Sequence, residues 1–162
     1  MGKKVKKQAT PALDAAENAG IPYAVHAYEH DPAHESFGLE AAEKLDVGPE
    51  RVFKTLVVAH DKELCVGVVP VENQLDLKAI AAALGVKSVA MADVALAERT
   101  TGYVAGGISP LGQKKQLRTV LDASMNHFDT VYVSAGKRGL EIELNPADLK
   151  RLTNAHFAPI AR

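Results

Sequence analysis

The residues of this chain best suited to chemistry lie in Thr101–Lys115, TGYVAGGISPLGQKK, where Gly102, Gly106, Gly107 and Gly112 surround Pro110 and Lys114 and Lys115 follow. Glycine lets a backbone approach a ligand closely, and proline stiffens its own residue and the one before it. Such a loop can aim a row of N–H groups at an electron-rich oxygen. It can equally be a connection whose glycines only turn the chain, and spacing alone leaves both open. A triphosphate-binding loop is excluded. Gly107 and Gly112 have the right separation, but Gln113 stands where that loop needs lysine and Lys114 where it needs serine or threonine.

Lys54 is the second candidate. It falls in Arg51–Ala59, a β-branched run bounded by turns, where alternation puts it on one face with Val52, Leu56 and Val58. An ammonium among apolar neighbours pairs with an acid, reaches for the sheet edge, or waits for an anionic ligand. His26, His30 and His34 recur every four residues, as metal ligands on a helix would. Pro32 and the strand-like Tyr23–Tyr28 before it argue against a helix there, so no metal site is expected. Tyr28 and His30 become polar tips of a strand, facing a cleft or solvent. Cys65 sits in an apolar run with no basic neighbour and reads as a buried structural residue. Ser109 has no partner histidine nearby in sequence, and no G-x-S-x-G, H-E-x-x-H, C-x-x-C or dinucleotide fingerprint occurs. An enzyme built from this inventory would work by positioning and backbone electrostatics.

The elements that must position these groups are legible. Thr10-Pro11 starts a helix that runs to Asn18 and stops at Gly20. A second helix spans Ser36–Leu45, a turn at His60–Glu63 leads into the strand Leu64–Val69, and Asp76 caps a helix Leu77–Leu84. Val86–Met91 reads as a short strand and Asp93 caps a helix ending near Thr100. Strands follow at Leu117–Leu121, Thr130–Ser134 and Leu140–Leu144, the last with Leu140, Ile142 and Leu144 inward. Tyr132, Ser134, Glu141 and Glu143 are then expected at an edge or on the solvent face. Asn145-Pro146 opens the final helix, with Asp148 placed to complete its cap. Helices and strands interleave, which is a mixed α/β (α+β) pattern.

Length and charge set outer limits. The 162 residues fit one domain, expected over 10–162 after a basic arm at 1–9 carrying Lys3, Lys4, Lys6 and Lys7. No apolar run is long enough to span a membrane, the start lacks a secretory signal, and Lys6 spoils a myristoylation motif. One cysteine admits no internal disulfide and agrees with a reducing compartment, so a cytoplasmic protein is expected. A net charge of −1 argues against an indiscriminate nucleic-acid binder, although Lys114, Lys115 and Arg118, and Lys137 with Arg138, could meet a few phosphates.

One ordered set of motifs covers Thr10 to the C-terminus. It comprises Thr10-Pro11, Tyr28-Glu29-His30-Asp31-Pro32, Phe53-Lys54-Thr55-Leu56, Gln74-Leu75-Asp76-Leu77-Lys78, Gly102-Tyr103, Gly106 to Lys115, and Tyr132-Val133-Ser134. In this the chain resembles the YbaK/EbsC family, and within it the free-standing YbaK-type deacylases that clear cysteine from tRNA(Pro). The resemblance implies a single α/β domain with a mixed, partly barrel-like sheet flanked by helices, related to the editing domain of bacterial prolyl-tRNA synthetases. It implies a catalytic set of Lys54, Gly106, Gly107, Ile108 and Pro110, with loop N–H groups around Gly107 and Ile108 meeting an oxyanion. Tyr28, His30, Ser109, Ser134 and Glu141 would bind substrate, with Glu141 standing where the family commonly has aspartate. The implied mechanism is substrate-assisted: the cysteine thiol attacks its own ester and leaves as a thiolactone. No cofactor or metal is implied. The partners would be the aminoacylated end of tRNA(Pro) and, transiently, prolyl-tRNA synthetase. Two alternatives stay open, a water-using deacylase for alanine or another small amino acid, and a non-catalytic binder of the tRNA acceptor end.

Overall fold

Local capping chemistry sets the helix starts in the computed structural model, which describes residues 9–34 and 36–162. Lys3, Lys4, Lys6 and Lys7 of the expected basic arm lie outside the described residues. Helix α1 is Pro11–Ala19, with Thr10 Oγ1 accepting from Leu13 N at 3.1 Å. The same hydroxyl donates to Ala135 O at 2.6 Å, which anchors the helix on a distant strand. Ser36, Asp76, Asp93 and Asn145 cap α2 (Phe37–Leu45), α3 (Leu77–Leu84), α4 (Val94–Thr101) and α5 (Pro146–Thr153) in the same manner.

The strands are β1 (Tyr23–Ala27), β2 (Phe53–His60), β3 (Glu63–Pro70), β4 (Ala90–Met91), β5 (Arg118–Asp122), β6 (Val131–Lys137), β7 (Leu140–Leu144) and β8 (His156–Ala158). They form two sheets, one in the order β1-β7-β6 and the other β4-β2-β3-β5-β8. In the larger sheet β3, β5 and β8 run parallel while β2 is antiparallel to both its neighbours. The fold is therefore mixed α/β, as expected. In place of one partly closed sheet, two sheets meet at a corner where Val52 and Tyr132 form a parallel bridge and Tyr132 N donates to Arg51 O at 3.0 Å.

The main core lies between the sheets and α1, α4 and α5, and includes Leu13, Phe53, Val66, Leu121, Val133, Ile142 and Leu149. A second cluster, with Val58, Cys65, Val69, Ile80 and Ile160, packs α3 against the other face of the larger sheet. Two strand boundaries differ from the sequence reading. Only Ala90 and Met91 of Val86–Met91 find a partner, because β2 offers an antiparallel edge only at Val58 and Ala59. β6 extends past Ser134 to Lys137 through a bulge, so the turn into β7 narrows to Arg138-Gly139. The short 3-10 helix Ala123–His127 and strand β8 carry no sequence periodicity of their own.

Candidate active site

A cavity of about 320 Å³ opens where β2, the N-terminus of α2, the glycine-proline loop and the β6–β7 hairpin converge. Of the residues singled out in the sequence, Tyr28, Lys54, Gly106, Ile108, Ser134 and Glu141 line it. His30, Gly107, Ser109 and Pro110 do not, and the first three each have a structural task nearby.

The loop is stiff for reasons its sequence encodes. Tyr103 Oη donates to Leu111 O at 2.6 Å, and Leu111 N donates to the fully buried Ser109 hydroxyl at 3.2 Å. Gln113, the residue that broke the triphosphate motif, donates to Ser109 O at 3.1 Å and accepts from Leu117 N at 3.2 Å. Gly106 has φ +86°, and a Cβ there would stand 2.6 Å from the Phe37 ring. Gly107 passes so close to the β6–β7 turn that a Cβ would meet Lys137 Cα at 2.8 Å. The Gly107 N–H donates within the loop, to Val104 O at 2.9 Å. That corrects the expectation that it faces an oxyanion, because its proton already has an acceptor. Among the described residues, Gly106 N and Ile108 N donate to no protein acceptor.

Lys54 sits half-buried at the cavity wall, and no acid pairs with it among the described residues. Burial alone pulls its pKa below the ordinary lysine value. Glu141 enters from β7 and is 7% exposed, which corrects its expected place on the solvent face. Burial pushes its carboxyl up to about 8, so it is largely neutral at neutral pH. Tyr28 rises to about 12, first from burial and then from the nearby Glu141 charge. Ser134 Oγ accepts from Gly136 N at 3.1 Å, which shapes the β6 bulge. The cavity thus holds a cation without a counter-ion and a carboxyl that prefers its proton.

The histidines are spent on carboxylates. His26 contacts Glu143 at 2.9 Å, His34 contacts Glu43 at 3.2 Å, and His30 Nδ1 contacts the inaccessible Glu40 at 2.7 Å. Burial raises the Glu40 pKa, but hydrogen bonds from His30 and Asp31 N prevail and lower it. Among the described residues no group of three or more His, Cys, Asp or Glu is placed to hold a metal ion. Asp148 accepts from Arg151 at 3.3 Å instead of completing the α5 cap. Arg118 of the expected basic cluster pairs with Glu63 at 3.1 Å.

Ser36, Phe37, Gly38, Phe53, Thr55 and Leu56 also line the cavity and were not singled out. Leu56 was reachable, since it shares the Lys54 face. Phe37 was not, because its place depends on Arg138, whose guanidinium lies 4.4 Å from the ring centre.

Residues 30–152 match the aminoacyl-tRNA editing domain family. The chain belongs to this family. It falls in the YbaK/EbsC group, since it is 41% identical over 161 residues to EbsC of Enterococcus faecalis, across 99% of this chain and 98% of that protein. That relative is named as a candidate Cys-tRNA(Pro)/Cys-tRNA(Cys) deacylase. YwhH of Bacillus subtilis, an uncharacterized protein, is 28% identical over 115 residues, 70% of this chain and 73% of that one. Two solved structures share the fold. A candidate trans-editing enzyme for prolyl-tRNA synthetase aligns with TM-score 0.80 at 23% identity, over 96% of this chain and 99% of that one. A hypothetical protein aligns with TM-score 0.84 at 22% identity, over 94% of this chain and 100% of that one. The protein is thus an aminoacyl-tRNA deacylase, and no helix among its described residues is long and apolar enough to cross a membrane.

Proposed function

We propose that this editing enzyme removes cysteine from mischarged Cys-tRNA(Pro), with Cys-tRNA(Cys) as a further substrate, by letting the cysteine attack its own ester. The observation that carries this is the absence of an activated protein nucleophile: among the described residues, none of the serine and threonine hydroxyls lining the cavity, those of Ser36, Thr55 and Ser134, bonds to a histidine, and no cysteine lines it. Cys65 is fully buried on β3 in the second core cluster, and burial raises its thiol pKa first, with the Glu63 charge adding to it. The Ser109 hydroxyl is fully buried and engaged by Leu111 N. The Ser134 hydroxyl accepts from Gly136 N instead.

A substrate thiol removes the need for one. The cysteinyl sulfur attacks the ester carbonyl carbon and forms a C–S bond, and the carbonyl oxygen gains negative charge. The ester C–O bond then breaks, and the departing ribose oxygen takes up the proton the thiol gave away. The products are a four-membered thiolactone, which opens in water, and deacylated tRNA. Intramolecular attack gives the sulfur a high effective concentration. The free N–H groups of Gly106 and Ile108 would meet the developing oxyanion, each such donor worth about 3 kcal/mol. Lys54 would hold a terminal phosphate or the ester as a positioning charge, and the mostly neutral Glu141 would leave that charge available. A prolyl ester has no thiol to spend and survives.

The test is to offer tRNA(Pro) charged with cysteine, serine, alanine or proline and follow ester loss and product. Rapid loss of the cysteinyl ester alone, with thiolactone formed, supports this function. Rapid loss of the alanyl ester with a slow cysteinyl one moves it to water-based editing of small residues. Binding without release of any amino acid makes the protein a tRNA-end binder. We further propose a transient complex with prolyl-tRNA synthetase and action in the cytoplasm, where newly charged tRNA is found.

A further inference from the structure

Four consecutive residues of β2, Phe53, Lys54, Thr55 and Leu56, line the cavity. Alternation lets the face of a strand present only every second side chain, so four in a row mean that the cavity abuts the edge of β2. The ladder shows which peptide groups that edge presents. Val71 N donates to Val52 O at 2.8 Å, and the β2–β3 register, which starts at Phe53 opposite Pro70, sets these two residues opposite one another when continued by one. In an antiparallel pair the hydrogen-bonded residues alternate, so Lys54 and Leu56 turn their N–H and C=O toward β3. Phe53, Thr55 and Val57 turn theirs away.

Two neighbours check this phase. On that outer edge Val57 O accepts from Ala92 N at 3.0 Å and Arg51 O accepts from Tyr132 N at 3.0 Å. Between these two contacts the edge has a gap. β4 pairs with β2 only at Val58 and Ala59, and β6 forms a single isolated bridge beside it, at Val52. Among the described residues no strand covers Thr55. Its side chain is also unsatisfied, since Thr55 Oγ1 is buried without a hydrogen-bond partner. Strand edges carry unpaired donors and acceptors that ordinarily take up another chain.

We infer that the outward N–H and C=O of Thr55 hold the aminoacyl group of the substrate as a strand extension one residue long. This rests on the proposed deacylase function. An aminoacyl ester carries an α-ammonium donor and a carbonyl acceptor, the same pair a strand residue presents through its N–H and C=O. The ammonium donates to Thr55 O, and Thr55 N–H donates to the ester carbonyl oxygen. The edge of β2 thereby recognises an α-amino acid whatever its side chain. It also supplies an oxyanion donor, the role in which the Gly107 N–H is not available. Choice among amino acids is left to the rest of the cavity.

Binding separates this from catalysis. The probe is cysteine joined by an amide bond to 3′-amino-3′-deoxyadenosine, which resists cleavage, compared with its counterpart carrying 3-mercaptopropionate and hence no amino group. With the full chain labelled with 15N, the first compound is expected to shift the Thr55 amide resonance and slow its hydrogen exchange at least about tenfold. The desamino compound is expected to bind at least about tenfold more weakly, since it loses a charged hydrogen bond. Equal affinity for the two compounds, or a Thr55 amide that stays put while Gly106 and Ile108 shift, would overturn the inference. Failure to cleave cysteinyl-tRNA with these binding results intact would instead count against the deacylase function.

Discussion

The Arg138 guanidinium lies over the Phe37 ring, 4.4 Å from its centre, and donates to Ala105 O through Nε at 3.0 Å and Nη2 at 2.6 Å. One side chain from the β6–β7 turn thus ties together α2 and the glycine-proline loop, two walls of the cavity. Arg138→Ala removes the cation–π contact, worth about 0.5–1 kcal/mol at an exposed site, and leaves the Ala105 carbonyl to water. The expected outcome is a stability loss of about 1 kcal/mol with a disproportionate fall in kcat. Arg138→Lys keeps the charge without the planar fork and should recover little. Denaturant melts and single-turnover deacylation check this, and full activity in Arg138→Ala would refute the tie.

Gly107 tests close approach without a change of conformation. Its Cβ would meet the Lys137 Cα at 2.8 Å and the Arg138 nitrogen at 3.0 Å, both backbone atoms that cannot swing aside. Gly107→Ala should therefore push the loop off the hairpin and cost about 1–3 kcal/mol. Gly106→Ala adds the penalty of positive φ to a clash with the Phe37 ring and the Arg138 side chain. Melting curves of both variants are the measurement, and an unchanged midpoint for Gly107→Ala is the result that would discredit this contact.

Capping chemistry made much of this frame legible before the structure. Thr10, Asp76, Asp93 and Asn145 each bind a backbone N–H two or three residues ahead, so the signal and its target lie in one short window. Alternation correctly put Leu140, Ile142 and Leu144 in the core and wrongly put Glu141 in solvent. β7 is the central strand of its sheet, and its other face is covered by groups distant in sequence, including Tyr28. The open edge at Thr55 was hidden for a related reason. Which strand stops short of β2, and where, is decided by β4 and β6 and by nothing in Phe53–Leu56. The family motifs brought Lys54 and the loop into view together, which spacing alone left undecided.

Stability should depend on pH through Glu141. Its folded pKa of about 8 stands above the ordinary 4.5, so the unfolded chain gives up this proton first. Stability from this group is intact below about 4.5 and is lost as pH rises toward about 8, at up to ~1.4 kcal/mol per pH unit. Glu141→Gln cannot ionise and should flatten that slope. Melting temperatures at several pH values across this window decide it, and parallel curves for the two proteins would show that Glu141 ionises freely in the folded state.

Lys54 should trade stability for activity. Burial lowers its pKa, so the folded state carries the charged form at a cost that eases only as pH rises through the lysine range. Lys54→Met fills similar space without that charge and is expected to melt higher at neutral pH. Deacylation should fall at least about 100-fold, as loss of a positioning contact can cost. A variant that melts lower would mean that the ammonium has a stabilising partner after all.

Cys65 separates a protein nucleophile from one carried by the substrate. It pairs with Arg118 along β3–β5, is fully buried, and belongs to the cluster that packs α3 on the larger sheet. None of the buried residues of that cluster lines the cavity, and a thiol with a raised pKa is a poor nucleophile at neutral pH. Cys65→Ala should cost about 1 kcal/mol from the lost packing and leave the rate on cysteinyl-tRNA within about twofold. In the intact protein the thiol should resist alkylation until the chain unfolds. If Cys65→Ala destroyed deacylation while the fold survived, the cutting sulfur would belong to the enzyme, and discrimination by the thiol of the substrate would lose its basis.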